Sequence, residues 1–282
     1  MPRQPIEQEL AAVRALAARL GLGEVEPAVL KLAKHTTLRL GPLVARVQSS
    51  VEPGLAMATM AREVAVARHL LQLDAPAVRP AVDPAPGPYE TDGCIVSLWA
   101  FVDHRPADET DAAKAGVALR SVHAALAGDA EPLPPYSDVV ADCARLAADE
   151  GAMAAAHPDD RALLAGLVRA GLERLPADLD RWIGLHGDTH LGNVLMTAGG
   201  PIWSDLEAVC RGPLEWDLSS KPPAFLEAFE SLDIALLDQL SDLRRACSAV
   251  WCWADAGRSR ETRKAAEHHT TRLRNEAASR FA

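Results

Sequence analysis

Apolar residues recur three and four apart at both ends of this chain, and run together or alternate in short stretches near its start. Ile6, Leu10, Val13, Leu16 and Leu20 mark one face of a helix that Gly21 and Gly23 close. Residues 28–34 and 36–40 then read as extended, Gly41-Pro42 as a turn, and residues 43–47 as an apolar strand. Pro53-Gly54 predicts a break, followed by a second helix with Met57, Met60, Val64, Ala67 and Leu71 on one face. Residues 74–92 hold Pro76, Pro80, Pro84, Pro86, Gly87 and Pro88, the composition of a stiff loop bearing short strands at most. Residues 94–101 form an apolar run of buried-strand length, with Ser97 its one polar residue.

Beyond Asp103 the period changes. Residues 108–128 and 138–175 are helical in spacing and rich in Ala and Leu. Residues 182–185 and 201–204 read as short strands, and the chain from Phe225 onward is helical again. The expected class is α+β, with a small N-terminal β-sheet lobe carrying a helix over residues 1–102 and a larger, mostly helical lobe over 103–282. A chain of 282 residues is long enough for two lobes with a shared cleft. Hydrophobic residues make up 49% but aromatics only 4%, so Ala, Leu and Val supply the apolar mass, which favours helices.

Charge and cysteine usage narrow the function classes. A net charge of −10 disfavours nucleic-acid binding, which needs a basic face, and suits a cationic or neutral small molecule. The five cysteines are scattered and lack a C-x-x-C pair, the pattern of reduced thiols rather than disulfides or a structural zinc site. No apolar run approaches the ~20 residues of a membrane span. Glu7 and Glu9 fall inside the first twenty residues, unlike a secretory signal. The expectation is a soluble cytoplasmic protein with no membrane partner, monomer or homodimer.

The candidate chemistry lies in Leu185-His186-Gly187-Asp188-Thr189-His190-Leu191-Gly192-Asn193-Val194-Leu195, followed by Ser204-Asp205-Leu206-Glu207. Asp188 and Asn193 are five apart on a loop with two glycines, and a hairpin would fold Asp205 back beside Asn193. Mg²⁺ takes a few hard oxygen ligands plus phosphates, and one carboxylate with one amide oxygen meets that need. Asp188 is left to orient and deprotonate a hydroxyl. The set matches phosphoryl transfer from ATP, with Asp188 as base and Asn193 and Asp205 as metal ligands.

His186-Gly187-Asp188-Thr189-His190-x-x-Asn193-x-Leu195 resembles the catalytic signature of the aminoglycoside phosphotransferase and choline kinase-like enzymes. Asp205-Leu206-Glu207 is similar to the family's metal-binding acid, and Gly212-Pro213-Leu214-Glu215-Trp216-Asp217-Leu218 to the segment after it. The resemblance spans about residues 28–220. It implies a two-lobed protein-kinase-like fold, ATP and Mg²⁺ as cofactors, and transfer of the γ-phosphate to a hydroxyl of a small acceptor: an aminoglycoside-like antibiotic, a sugar or an amino alcohol. Antibiotic resistance is one implied role, and a cationic acceptor fits the acidic chain. The resemblance also assigns Arg46 to the α/β-phosphates, where protein kinases carry Lys, paired with Glu63 on the next helix; Lys34 is another source of an ammonium. The Lys34-His35-Thr36-Thr37 segment lies where a phosphate-covering loop belongs but holds no Gly. Residues 96–101 resemble the adenine-binding hinge, with Trp99 and Phe101 flanking the base. Asp217 is expected to hold the catalytic loop's backbone and His186 to fix that loop. Trp251, Trp253 and Asp255 are candidates for an acceptor pocket.

Two other classes stay open on residues alone. Alternating His186, Asp188 and His190 could bind Zn²⁺ in a metallohydrolase with Asp205 as a bridging carboxylate, which leaves Asn193 without a part. A non-catalytic nucleotide-binding protein would explain Arg46 and the Gly-free loop. Protein phosphorylation is disfavoured, since neither Asp-Phe-Gly nor Ala-Pro-Glu occurs.

Overall fold

The computed structural model describes residues 6–23, 25–32, 35–49, 53–127, 133–175, 182–257 and 260–280, with side chains as far as residue 276. Lys34 lies outside the described residues. In chain order the first elements are α1 (Ile6–Arg19), β1 (Ala28–Leu32), β2 (Thr36–Leu40), β3 (Leu43–Ser49), α2 (Pro53–Gln72), β4 (Tyr89–Thr91), β5 (Cys94–Ala100), β6 (Arg105–Pro106) and α3 (Ala112–Leu126). Then come α4 (Tyr136–Ala148), α5 (Pro158–Glu173), β7 (Ile183–Leu185), β8 (Val194–Thr197), β9 (Gly200–Trp203) and β10 (Cys210–Gly212). The last are α6 (Leu214–Leu218), α7 (Pro223–Leu226), α8 (Ile234–Ala254) and α9 (Arg260–Arg280). Among the described residues no helix is long and apolar enough to cross a membrane. The chain divides into two compact units, one of Met1–Glu131 with His190–Val209, the other of Pro132–Thr189 with Cys210–Ala282.

In the first unit, α1 ends as its glycine predicts. Gly21 takes φ 71°, its N–H donates to Ala18 O (3.1 Å), and the Leu22 N–H donates to Ala17 O (3.0 Å), a Schellman closure. The five-stranded antiparallel sheet runs β1-β2-β3-β5-β4, and Gly41-Pro42 turns β2 into β3 with Leu40 opposite Leu43. Strand alternation gives its two faces different work. Leu38, Ala45, Val47, Val96 and Leu98 share the face that packs on Ala12, Val13 and Leu16 of α1. The other face carries Thr37, Arg46 and Ser97 in one cross-strand row, and Arg39, Val44 and Trp99 in the next. Helix α2 covers part of this second face through Ala56 and Met60 against Ile95.

Pro53-Gly54, expected to break the chain, instead opens α2. Proline suits a first helical turn because its missing N–H has no partner there anyway. Residues 74–92 form the expected loop, with only β4 in them. They are pinned to the β8–β9 hairpin: Trp203 N–H donates to Pro76 O and Val78 N–H to Trp203 O, both at 2.8 Å. Trp203 is fully buried and spends its indole N–H on Ala115 O of α3 (3.3 Å).

The second unit is helical around a short β7–β10 ladder that pairs Leu185 with Cys210. The helical period read over 138–175 is two helices rather than one. Asp149 ends α4 and its Oδ1 accepts from Gly151 and Ala152 N–H (2.8 and 3.0 Å), a side-chain-made turn that competes with helix; Pro158 then starts α5. On α8, Leu240, Leu243, Cys247 and Val250 form the buried stripe. Gly171 on α5 allows that stripe to approach, because a Cβ there would lie 2.4 Å from Leu243 Cδ1. Gly171→Ala is expected to cost about 1–3 kcal/mol through overpacking. A urea titration would show a lower midpoint at unchanged slope, and an unmoved midpoint would mean the two helices yield freely.

Candidate active site

Arg46 is the centre of the first unit's polar cluster. Its position on β3 points it at α2, and Glu63 lies on the buried stripe of that helix beside Met60, Val64 and Ala67. Arg46 Nη1 donates to Glu63 Oε1 at 2.5 Å. Its Nη2 donates to Asp205 Oδ1 at 2.7 Å and to Glu207 Oε2 at 3.1 Å. Glu63 Oε1 also accepts from the Leu206 N–H at 3.2 Å, tying α2 to the Asp205-Leu206-Glu207 segment. His35, between β1 and β2, hydrogen-bonds the Glu207 carboxylate, so the glycine-free loop is fastened to the same acid.

Three carboxylates thus face one guanidinium. Burial works against the Arg46 charge, but Glu63, Asp205 and Glu207 outweigh it and hold the group charged. Glu63 fares differently. Burial, at 2% exposure, pushes its carboxyl up to about 7 against the pull of Arg46, and the two neighbouring acids push the same way. The cluster has an excess of negative charge that a divalent cation would relieve.

The β8–β9 hairpin forms as its sequence predicts. Val194 pairs with Trp203, and the Ser204 N–H and hydroxyl donate to Asn193 O at 2.8 and 2.9 Å, so Asn193 and Asp205 flank the base of one hairpin. Asp205 has φ 65°, a left-handed conformation that costs a non-glycine residue of order 1 kcal/mol. One Asp205 oxygen is on Arg46; the side chain is 35% exposed. At Gly192 a Cβ would lie 2.8 Å from His190 Nδ1, so a side chain there would have to displace that exposed ring. An amide oxygen and a carboxylate at a hairpin base suit Mg²⁺, which takes its remaining ligands from phosphates and water. Among the described residues no group of three or more His, Cys, Asp or Glu is placed to hold a metal. His186, Asp188 and His190 therefore do not form the set a zinc hydrolase needs.

Trp99 and Phe101 follow the Arg46 face of β5. Trp99 is buried and its indole N–H donates to Ser97 Oγ at 2.9 Å. Phe101 is half-buried; its N–H donates to Pro42 O at 2.8 Å, and the Arg39 guanidinium lies 3.7 Å from its ring centroid.

Asp188 belongs to the second unit. Its loop is held by Asp217, whose Oδ2 accepts from His186 N–H (2.7 Å) and Oδ1 from Gly187 N–H (2.9 Å). Gly187 has φ 84°, which only glycine adopts freely. The Thr189 hydroxyl donates to Asp217 O, and Asp188 N–H donates to Nδ1 of fully buried His186 at 3.3 Å. Asp188 itself is 37% exposed and accepts from Arg244 Nη2 at 2.6 Å, while Arg244 Nη1 donates to Gly187 O at 2.6 Å. The Arg244 guanidinium lies 4.9 Å from the Trp216 ring and 5.5 Å from Trp251.

Arg244 and Lys221 belong to no motif in the sequence. A signal for Arg244 was present: it stands four after Leu240 and three before Cys247, a core position of an apolar stripe that a charge occupies only with partners. Trp253, expected at an acceptor pocket, is buried and donates its indole N–H to Thr270 Oγ1 (2.8 Å), so it serves helix packing.

Solved structures similar to this one are kinases of small molecules. The amicoumacin kinase hAmiN, in complex with AMP-PNP, Ca²⁺ and Ami, is 13% identical over 96% of each chain with a TM-score of 0.69. The GDP and kanamycin complex of APH(2")-IIia is 11% identical over 96% of this chain and 99% of that one, with a TM-score of 0.68. A choline/ethanolamine kinase family protein from Mesorhizobium loti is 18% identical over 93% of this chain and 92% of that one, at 0.61. Among curated proteins none matches this sequence. The fold is therefore the kinase-like α+β fold these structures share. The model of the phosphotransferase enzyme family matches residues 20–245, and the chain belongs to that family.

Proposed function

We propose that this protein moves the γ-phosphate of ATP to a hydroxyl of a small molecule, an aminoglycoside-like antibiotic, a sugar or an amino alcohol, with Mg²⁺ held by Asn193 and Asp205. The observation that carries this reading is the closure of Arg46 onto Glu63 and Asp205 within one unit. A strand cation fixed by a helix carboxylate and aimed at a hairpin acid is what a triphosphate–metal complex needs. An Arg in this place grips phosphate oxygens with two parallel N–H groups, so its presence instead of Lys is compatible with the task.

The other residues take roles that follow from their chemistry. Mg²⁺ at Asn193 and Asp205 would neutralise charge on the β- and γ-phosphates. Asp188, fixed through Arg244 and a loop anchored by Asp217, accepts the proton of the acceptor hydroxyl. Trp99 and Phe101 flank the base. Acceleration comes from positioning and charge stabilisation rather than covalent chemistry.

A coupled screen for nucleoside-diphosphate release tests the reading, run with ATP and GTP over aminoglycosides, sugars, choline and other amino alcohols. Mg²⁺-dependent release stimulated by an acceptor is expected. Stabilisation by Mg·ATP with no acceptor-stimulated release across the whole panel would favour a nucleotide-binding protein without turnover.

A further inference from the structure

The surroundings of Asp188 differ in charge from the chain as a whole. The protein carries −10, a charge that favours a cationic acceptor, yet this acid is met by one cation and the loop after α6 in the same unit carries another. Arg244 contacts Asp188 directly. Lys221, part-buried in the loop after α6, follows by four residues the Asp217 that holds the Asp188 loop, and its neighbour Ser220 is fixed to Ser241, one turn of α8 from Arg244.

That loop is tightly fixed. The Ser219 hydroxyl donates to Trp216 O at 2.7 Å, and the Lys221 N–H donates to Leu218 O at 3.2 Å. Ser220 is held at φ 60°, its N–H donating to Ser241 Oγ of α8 at 3.0 Å. Pro222 follows directly and limits the chain further.

The Lys221 ammonium has three donors. One goes to Ser219 O at 3.0 Å, and no described carboxylate forms an ion pair with it. Asp217, the buried acid nearby, already accepts two backbone N–H groups, and Asp188 is engaged by Arg244. Burial first, and Arg244 second, push the Lys221 ammonium down to about 8, and the pull of Asp217 and Asp188 does not restore it. A part-buried ammonium that forms no ion pair costs folding energy that a surface lysine does not. An arriving anion recovers that cost.

We propose that Lys221, with Arg244 beside it, reads an acidic group on the acceptor, so that the hydroxylated substrate carries a carboxylate or a phosphate. The proposal rests on the phosphotransferase reading and narrows its acceptor class, away from the cation that net charge suggested. The anion held could instead be the transferring phosphoryl group of the nucleotide, and the two sources separate experimentally.

Matched acceptors decide it: hydroxy acids against their amides, such as glycerate and glyceramide, and sugar phosphates against the parent sugars, with wild type and Lys221→Met. Wild type is expected to favour the acidic member of a pair by roughly ten- to a hundredfold in kcat/KM, the value of a hydrogen bond to a charged group. Lys221→Met should lose most of that ratio through KM, and should melt roughly 2–4 °C higher because a part-buried charge with no ion pair is gone. Calorimetry with glycerate, in the presence of Mg·AMP-PNP so that the donor's phosphate positions are filled, gives a readout that needs no turnover. Heat in wild type, at least roughly tenfold weaker binding in the variant, is the supporting result.

Three outcomes overturn the proposal: no preference for acidic acceptors, no glycerate heat, or an equal fall of kcat for acidic and neutral acceptors in Lys221→Met, which would assign the ammonium to the transferring phosphoryl group. The phosphotransferase reading fails separately, through absence of Mg·ATP-dependent ADP release with any acceptor.

Discussion

Asp188→Asn is expected to lower turnover by roughly 10²–10⁴-fold, the value of a positioned general base, while leaving Mg·ATP affinity within a few-fold. Asn keeps the volume and one oxygen for Arg244 to contact, and it leaves the loop anchors on Asp217 and His186 untouched. What it removes is the ability to take a proton. The separation of the two effects is the informative part: the residues proposed to bind the nucleotide, Arg46, Asn193 and Asp205, belong to the first unit and Asp188 to the second. Single-turnover ADP release gives the rate and calorimetry the affinity. A variant that retained more than about a tenth of wild-type turnover would show that Asp188 is not the base.

Asp205→Asn is expected to weaken Mg²⁺-dependent nucleotide binding by more than roughly a hundredfold, beyond the ten- to hundredfold typical of losing only an outer partner of a metal. The substitution is chosen for its backbone. Asp205 has φ 65°, and Asn tolerates that conformation nearly as well, so the hairpin base should survive. The nucleotide-free protein should be no less stable than wild type. One acid leaves a cluster in which three face a single guanidinium, and Arg46 keeps Glu63 and Glu207. The thermal shift on adding Mg·ATP should shrink accordingly, since stabilisation by a ligand follows the logarithm of its affinity. An undiminished shift would remove Asp205 from the metal site.

The sequence disclosed the elements whose signals are local. The periodic faces of α1 and α2, the Gly41-Pro42 turn, the apolar run of β5 and the hairpin after Asn193 follow from neighbours in the chain. The α2 start was misjudged because Pro53 stops a helix from behind but starts one from the front. The division of 138–175 was missed because Asp149 acts through a side-chain turn that leaves the apolar period intact on either side. The Arg46–Glu63 pair follows from the resemblance alone; the structure adds the geometry, with α2 covering the β3 face on which Arg46 points. Lys221 carries no local signal, and the position of Arg244 on the apolar stripe of α8 shows that it needs a partner without showing which. Their meaning depends on which distant acid they meet, and 56 residues separate Arg244 from Asp188.

The first unit is assembled from two separate stretches of polypeptide, the later one being His190–Val209. A ribosome that has made only the leading stretch has therefore produced an unfinished body. Trp203 has not yet filled its place against α3, and Glu63 lacks the Leu206 amide. The five-stranded sheet lies wholly in the leading stretch, but α2 and α3 must wait for a hairpin that emerges some sixty residues after Glu131, at ordinary synthesis rates of ~5–20 residues per second several seconds later. During that interval the nascent chain exposes the apolar slot meant for an indole ring, which makes it a client for chaperones and an unpromising fragment to express alone.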